Sequence, residues 1–182
     1  SGGGDSMALM HLAARWMESN SSENYQIITV DHSIRKGSNL EAEFVAKKAA
    51  SLGFKHLTLT WKGWDGSGNL QKSAREARYQ LIASVVPKKS VVLTGHTKDD
   101  QAETFLLNLK RGSGVDGLSG IPRKRLALYR DNEFWLLRPL LGITRKDLRN
   151  YLMEKGSIWL EDPSNEDRTF DRINIRKNLQ FF

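Results

Sequence analysis

Ser1-Gly2-Gly3-Gly4-Asp5-Ser6 is the stretch whose reading decides the fold. Consecutive glycines remove side chains, so backbone N–H groups can converge on an anion. The apolar run from Met7 to Met17 reads as a helix that begins just after the loop. A loop feeding a helix N-terminus combines unpaired N–H groups with the positive end of the dipole, which makes a phosphate site. Ser1 and Ser6 add hydroxyl donors. Asp5 is the odd member, because a carboxylate repels phosphate. A bridging metal ion, or a cationic substrate held by Asp5, would give it a purpose. The plainer reading is a glycine-rich turn with Asp5 or Ser6 as helix N-cap. Short glycine motifs also arise by chance.

Working outward, the chain alternates strand and helix patterns. Gln26 to Val30 reads as a buried strand that stops at Asp31-His32. His32 there reads as a cap on the strand edge. Leu40, Phe44, Val45, Lys48 and Leu52 keep a helical period closed by Gly53. His56 to Trp61 reads as a strand and Lys62 to Asn69 as a glycine-rich loop. Leu70, Ala74, Ala77, Leu81 and Val85 trace one face of a helix stopped by Pro87. Val91-Val92-Leu93 reads as a short buried strand ending at Gly95-His96. This spacing predicts an α/β fold, a doubly wound and mostly parallel sheet with helices on both faces. In such sheets ligands bind at the carboxyl ends of the strands. The glycine loop, Asp31-His32 and Gly95-His96 all fall there.

The helix after His96 is expected to bury Ala102, Phe105, Leu106 and Leu109. Asp99 and Glu103 then share nearly one direction, with Asp100 adjacent. Thr97 to Asp100 has capping-box spacing, and acids suit a helix N-terminus. Capping explains one or two acids. A third acid and a histidine beside them suggest a site for a cation such as an ammonium group. Gly112-x-Gly114-x-x-Gly117 matches the dinucleotide fingerprint literally, but it follows a helix instead of a strand, so that reading fails. Its plainer reading is a flexible loop. Arg75 or Arg78 could clamp a phosphate, against a surface ion pair with Glu76.

Ser-Gly-Gly-x-Asp-Ser resembles the PP-loop of ATP pyrophosphatases, which split ATP into AMP and pyrophosphate while adenylating a substrate. It is not a Walker A loop, since no Gly-Lys-Ser/Thr follows. The block Gly95-His96-Thr97-Lys98-Asp99-Asp100-Gln101-Ala102-Glu103-Thr104, with Leu109 to Leu118 beyond it, narrows the resemblance to the tRNA(Ile)-lysidine synthetase family. The resemblance extends over essentially the whole chain. It implies that ATP adenylates the C2 oxygen of the wobble cytidine in the CAU anticodon of tRNA(Ile). The ε-amine of L-lysine then attacks C2 and AMP leaves. It implies ATP at Ser1, Gly2, Gly3, Gly4, Asp5 and Ser6, with Mg²⁺ at Asp5. It places Asp5, Asp100 and Glu103 around the lysine and His96 close to the reacting centre. The loop of Gly112, Gly114 and Gly117 becomes substrate-facing, with Arg111 available for phosphate. Asp162-Pro163-Ser164-Asn165 and the arginines after it resemble the end of the family's catalytic domain. The family shows Asn directly after the first Arg of that segment, whereas Ile173 follows Arg172 here.

Composition agrees with this frame. The 182 residues suffice for one sizeable core, and 39% hydrophobic with 27% charged residues is ordinary for a globular protein. No apolar run approaches membrane-spanning length. The absence of cysteine excludes disulfides and thiolate chemistry, which fits a cytoplasmic protein and disfavours a tRNA thiolase of the same superfamily. A net charge of +7 and a pI near 9.7 favour a polyanion partner. Much of that charge lies in Arg123, Lys124, Arg125, Arg130, Arg138, Arg145, Lys146 and Arg149, which read as RNA contacts or a solvated face. Within that half, Phe134 to Leu141 reads as a strand, Thr144 caps a helix with Leu148, Tyr151 and Leu152 inward, and Arg172 to Leu179 could be another helix. Residues 1–121 are expected to form the ATP-binding region and 122–182 a small basic extension. A strand is expected before Ser1, and the chain reads as a piece cut at both ends. A homodimer is left open. The alternative to an enzyme is a tRNA- or nucleotide-binding module, which would not need acids at 5, 100 and 103.

Overall fold

The computed structural model describes residues 1–20, 25–33, 37–64, 66–129 and 132–161. Arg35-Lys36, Arg130-Asp131 and everything from Asp162 on, including the Asp-Pro-Ser-Asn segment and the expected last helix, lie outside the described residues. The order is α1 (Gly4–Ser19), β1 (Gln26–Asp31), α2 (Ser38–Ser51), β2 (Lys55–Thr60), α3 (Leu70–Val85), β3 (Val91–Leu93), α4 (Lys98–Lys110), α5 (Val115–Leu118), β4 (Lys124–Tyr129), β5 (Asn132–Leu137) and α6 (Arg145–Glu154).

β1 and β2 pair in parallel from Gln26↔Lys55 to Asp31↔Thr60. A parallel pair needs a crossover, and α2 supplies it. α2 buries Ala42, Val45 and Ala49, one helical face, and ends where Gly53 turns to φ 80°. α3 begins at Asn69, whose side chain accepts the Lys72 N–H at 3.0 Å. Its buried face is Ala77, Tyr79, Ile82 and Ala83. The expected stripe is therefore rotated, since Val85 is 40% exposed. Tyr79 turns the helix: its ring stacks 5.8 Å from Tyr129, which stacks 6.1 Å from Phe134. An aromatic body outweighs a small aliphatic in choosing the buried side.

The second sheet has the order β3-β5-β4. Sequence pattern anticipated β5, but not β4. Lys124-Arg125-Leu126-Ala127-Leu128-Tyr129 reads as basic, yet its alternation is that of a strand. Two residues separate β4 from β5, a connection that only an antiparallel pair allows. β3 and β5 run in the same direction: Trp135 N–H donates to Ser90 O and Thr94 N–H to Leu137 O. The described strands thus form two hydrogen-bonded sheets in which the β1–β2 and β3–β5 pairings are parallel, as expected, and the β4–β5 hairpin is antiparallel. β3 is also less covered than its apolar sequence suggests, with Val91 55% exposed.

The chain divides into two compact units. One comprises Ser1–Gly2, Leu9–Val92 and Leu126–Leu136. Its core joins Tyr79, Ile82 and Ala83 of α3 to Ala127, Phe134 and Leu136 of the hairpin, with Ile28, Val30 and Val92 packed against it. The other comprises Gly3–Ala8, Leu93–Arg125 and the chain from Leu137. It buries Met7, Leu107, Leu140, Leu141, Leu148 and Leu152. In α6, Thr144 Oγ1 accepts the Asp147 N–H at 3.1 Å as N-cap, and Leu148 and Leu152 point inward at the expected spacing.

Phe134→Ala should cost about 3–5 kcal/mol, since Phe134 is fully buried at the centre of its core. Leu128→Ala, on the outer side of the same hairpin, should stay within about 0.5 kcal/mol. Urea denaturation of both variants checks the assigned strand faces; equal losses would contradict them.

Candidate functional site

The glycine stretch enters the helix earlier than its apolar pattern indicates. α1 starts at Gly4, and the Met7 N–H donates to Gly3 O at 3.0 Å. Gly4, Asp5 and Ser6 therefore form the first helical turn. Residues 4–6 carry no apolar signal, which is why periodicity placed the start too late. N–H groups of a first turn have no intrahelical acceptor, so the geometry suits an anion. Asp5 adds a carboxylate at the positive end of the dipole.

The end of β3 reaches this turn closely. A Cβ on Gly95 would lie 2.9 Å from the Asp5 carbonyl oxygen and 3.3 Å from Ser6 N. Only glycine lets the two backbones approach so far. On another side, a Cβ on Gly4 would touch the Trp159 indole at 3.5 Å. Trp159 Nε1 donates to Glu161 Oε1 at 2.8 Å.

Thr97 and Asp100 form the expected capping box at the start of α4. Asp100 Oδ2 accepts the Thr97 N–H at 2.7 Å, and Thr97 Oγ1 receives the Asp100 N–H at 3.4 Å. The expected apolar stripe is corrected here. α4 buries Glu103, 1% exposed, and Leu107, while Phe105 and Leu109 are 43% and 52% exposed. The carboxylate face is the inward face.

The reason is Arg145, which the sequence reading left among the surface charges. Its Nε donates to Asp5 Oδ2 at 3.2 Å, its Nη1 to Glu103 Oε1 at 2.6 Å and its Nη2 to Asp100 Oδ1 at 2.5 Å. Its backbone N–H donates to Asp99 Oδ2 at 2.9 Å. All four acids of the cluster thus converge on one residue at the start of α6. Burial works against the Arg145 charge, but Asp100, Glu103 and Asp5 outweigh it and push its pKa up. Burial also pushes the Asp5 carboxyl above its ordinary value, against the pull of Arg145. A signal for Arg145 existed: a Thr144 cap places residue 145 at a helix N-terminus, where an arginine opposes the dipole and needs acids nearby.

His96 is half-buried, with Nδ1 2.9 Å from Thr94 Oγ1. The stretch holding Gly112, Gly114 and Gly117 is a built turn instead of a flexible loop. Gly112 has φ 70°, Gly114 caps α5, and Asn108 Nδ2 donates to Gly117 O at 2.6 Å. Gln101 exchanges two hydrogen bonds with the Ile121 backbone at 2.8 and 2.6 Å. Arg111 is exposed at the end of α4. Arg138, also expected at the surface, is 2% exposed and donates to Pro122 O. Arg123, Lys124, Arg125, Lys146 and Arg149 are exposed.

The other unit holds the remaining candidates. His32, just past β1, meets the edge of Trp61, just past β2, at 5.6 Å. Arg78 Nη2 lies 3.4 Å from His32 Nε2. Burial lowers the His32 pKa and Arg78 lowers it further, so His32 favours the neutral form. Arg75 lies over the Tyr79 ring at 5.4 Å instead of pairing with Glu76. Ser1 and Gly2 belong to this unit. Among the described residues, no group of three His, Cys, Asp or Glu is placed to hold a metal ion, and no helix is long and apolar enough to cross a membrane.

A glycine loop opening a helix, with the end of β3 packed on its backbone, defines a class, and a family model confirms it. Residues 1–180 match the PP-loop domain, and the chain belongs to that family. It is 49% identical over 181 residues to a tRNA(Ile)-lysidine synthase of Ruegeria pomeroyi, covering 98% of this chain and 42% of the relative. It is 41% identical over 183 residues to a tRNA(Ile)-lysidine synthase of Wolbachia pipientis, covering 99% and 42%. The chain thus spans less than half the length of these relatives. Its fold matches the U34-tRNA thiolase NcsA of Methanococcus maripaludis with a TM-score of 0.79 at 16% identity, over 100% of this chain and 63% of that one.

Gly95→Ala should force the Asp5 peptide to shift and cost about 1–3 kcal/mol by overpacking. ATP affinity, read by isothermal titration, should fall in parallel with the thermal melt. Unchanged values for both would mean that the backbone contact is loose.

Proposed function

We propose that the full-length protein carrying this chain ligates lysine to C2 of the wobble cytidine of tRNA(Ile) with a CAU anticodon. The reaction runs through an adenylated cytidine and gives lysidine, AMP and pyrophosphate. The observation that carries the reading is the double membership of Asp5. It belongs to the glycine loop at the helix start and, through Arg145, to the carboxylate cluster with Asp100 and Glu103. Phosphate chemistry and cation chemistry meet at one residue. The names of the similar relatives agree with it.

In this reading the N–H groups of the loop hold ATP phosphates, with the hydroxyls of Ser1 and Ser6 beside them. Arg75 and Arg78 are the candidate clamps. Mg²⁺ would arrive on the phosphates, to which it supplies charge neutralisation, and Asp5 would be the residue of this chain to hold it. Asp100 and Asp5 attract the lysine ammonium. The amine must lose a proton before attack, and a carboxylate of the cluster or His96 would take it. Arg111 and the glycine turn after it face the RNA, together with Arg123, Lys124, Arg125, Lys146 and Arg149. Sulfur transfer is the weaker reading, since the chain holds no cysteine. A binding module without catalysis would leave the acids at 5, 100 and 103 without a purpose beyond their clamp.

Labelled lysine should enter tRNA(Ile) only when ATP is present, and AMP should form with it. No incorporation, with ATP consumed in some other reaction, would overturn the assignment. Gly3→Val should abolish ATP binding by isothermal titration, because a β-branched side chain blocks backbone approach to phosphate. Binding of tRNA to residues 1–182 alone should be weak, roughly 10⁻⁴ to 10⁻⁶ M, and should weaken steeply with salt.

A further inference from the structure

Arg145 has no part in the reaction as described above, yet it touches every carboxylate assigned to the amine. We propose that Arg145 is a positioning residue that fixes the spacing and charge of Asp5, Asp100 and Glu103, so that the cluster takes the ammonium group of the amine substrate at its open edge. The inference rests on the function proposed above.

Geometry carries it. Each of the three guanidinium nitrogens engages a different carboxylate, so a planar, rigid fork sets the distances between them. The fork is itself fixed at both ends. Its backbone N–H is held by Asp99, and Thr144 caps the helix at that point. Exposure then sorts the acids. The Glu103 side chain is 2% exposed and closed to any incoming group, so its role is to hold Arg145. The Asp5 and Asp100 side chains are 27% and 16% exposed and form the edge that a substrate can reach.

Charge completes the argument. Three carboxylates gathered around one point favour a cation between them. One guanidinium against three carboxylates leaves the group with more acidic than basic partners. A second cation is therefore attracted, and a compact ammonium fits beside the fork where a second guanidinium would need its own planar set of acceptors. Amine selection thus comes from a site already half filled by the protein's own cation.

The test compares wild-type, Arg145→Lys and Arg145→Ala in the full-length protein, with lysine KM, ATP KM and kcat measured beside a thermal melt. Lysine at 145 keeps the charge and loses the fork. It should raise lysine KM about tenfold or more while ATP KM moves less than about twofold, the scale on which one misplaced charge partner is felt. In Arg145→Ala, methylguanidinium should restore lysine KM toward the wild-type value and methylammonium should not. A wild-type protein that incorporates lysine, with variants whose lysine KM is unchanged and only the melt lowered, would reduce Arg145 to a structural brace and overturn the inference alone. A wild-type protein that incorporates no lysine would overturn the functional reading and this inference together.

Discussion

One guanidinium on three carboxylates is the interaction on which the site depends. Asp5 comes from the glycine loop, Asp100 and Glu103 from α4, and Arg145 from the start of α6. Burying such groups is expensive, and only complete pairing makes it tolerable. Glu103 shows the constraint most clearly, because a carboxylate that is 1% exposed cannot turn to water if its partner is lost. Breaking a pair of this kind costs about 3–5 kcal/mol, several times the value of a surface pair. The arrangement therefore ties the loop geometry to the register of α4 and α6 within their unit.

One of the same residues also serves in a helix cap, so capping and membership of the charge cluster are not alternatives. Asp100 uses Oδ2 for the Thr97 N–H and Oδ1 for Arg145. A cap of this kind fixes the side-chain rotamer, since both oxygens are committed. The carboxylate is thereby held in one orientation, and a preformed acceptor loses less entropy on pairing than a free one. Asp99 does the equivalent for the Arg145 backbone. Local helix chemistry and the electrostatics of the cluster are one structure.

The parts of this fold that were legible in the sequence are those with a local cause. The glycine loop, the strands β1 and β2, and the helices α2, α3 and α6 each follow from a period and a cap or glycine stop. What failed had a non-local cause. The inward face of α4 carries Glu103 because Arg145 waits for it 42 residues away, and hydrophobic periodicity ranks a glutamate as outward. The face of α3 was missed because Tyr79 stacks on the hairpin strand β4, and β4 was hidden by Lys124 and Arg125 at its start. Acid positions 5, 100 and 103 were legible as a cluster; that an arginine of the same chain already occupies it was not.

This changes how the basic character of the chain is to be read. Net charge counts Arg145 equally with Arg123, but Arg145 is spent inside its unit on carboxylates. Charge that is paired and buried gives almost no field at the surface, whereas exposed lysines and arginines act over a Debye length. The field available to an RNA therefore comes from fewer residues than the sequence implies. Arg123, Lys124 and Arg125 are consecutive in the chain, and Lys146 and Arg149 sit three apart on one helix side. Phosphate attraction depends on such local density more than on the total, so these two groups, and not the overall excess of +7, are what a polyanion would meet.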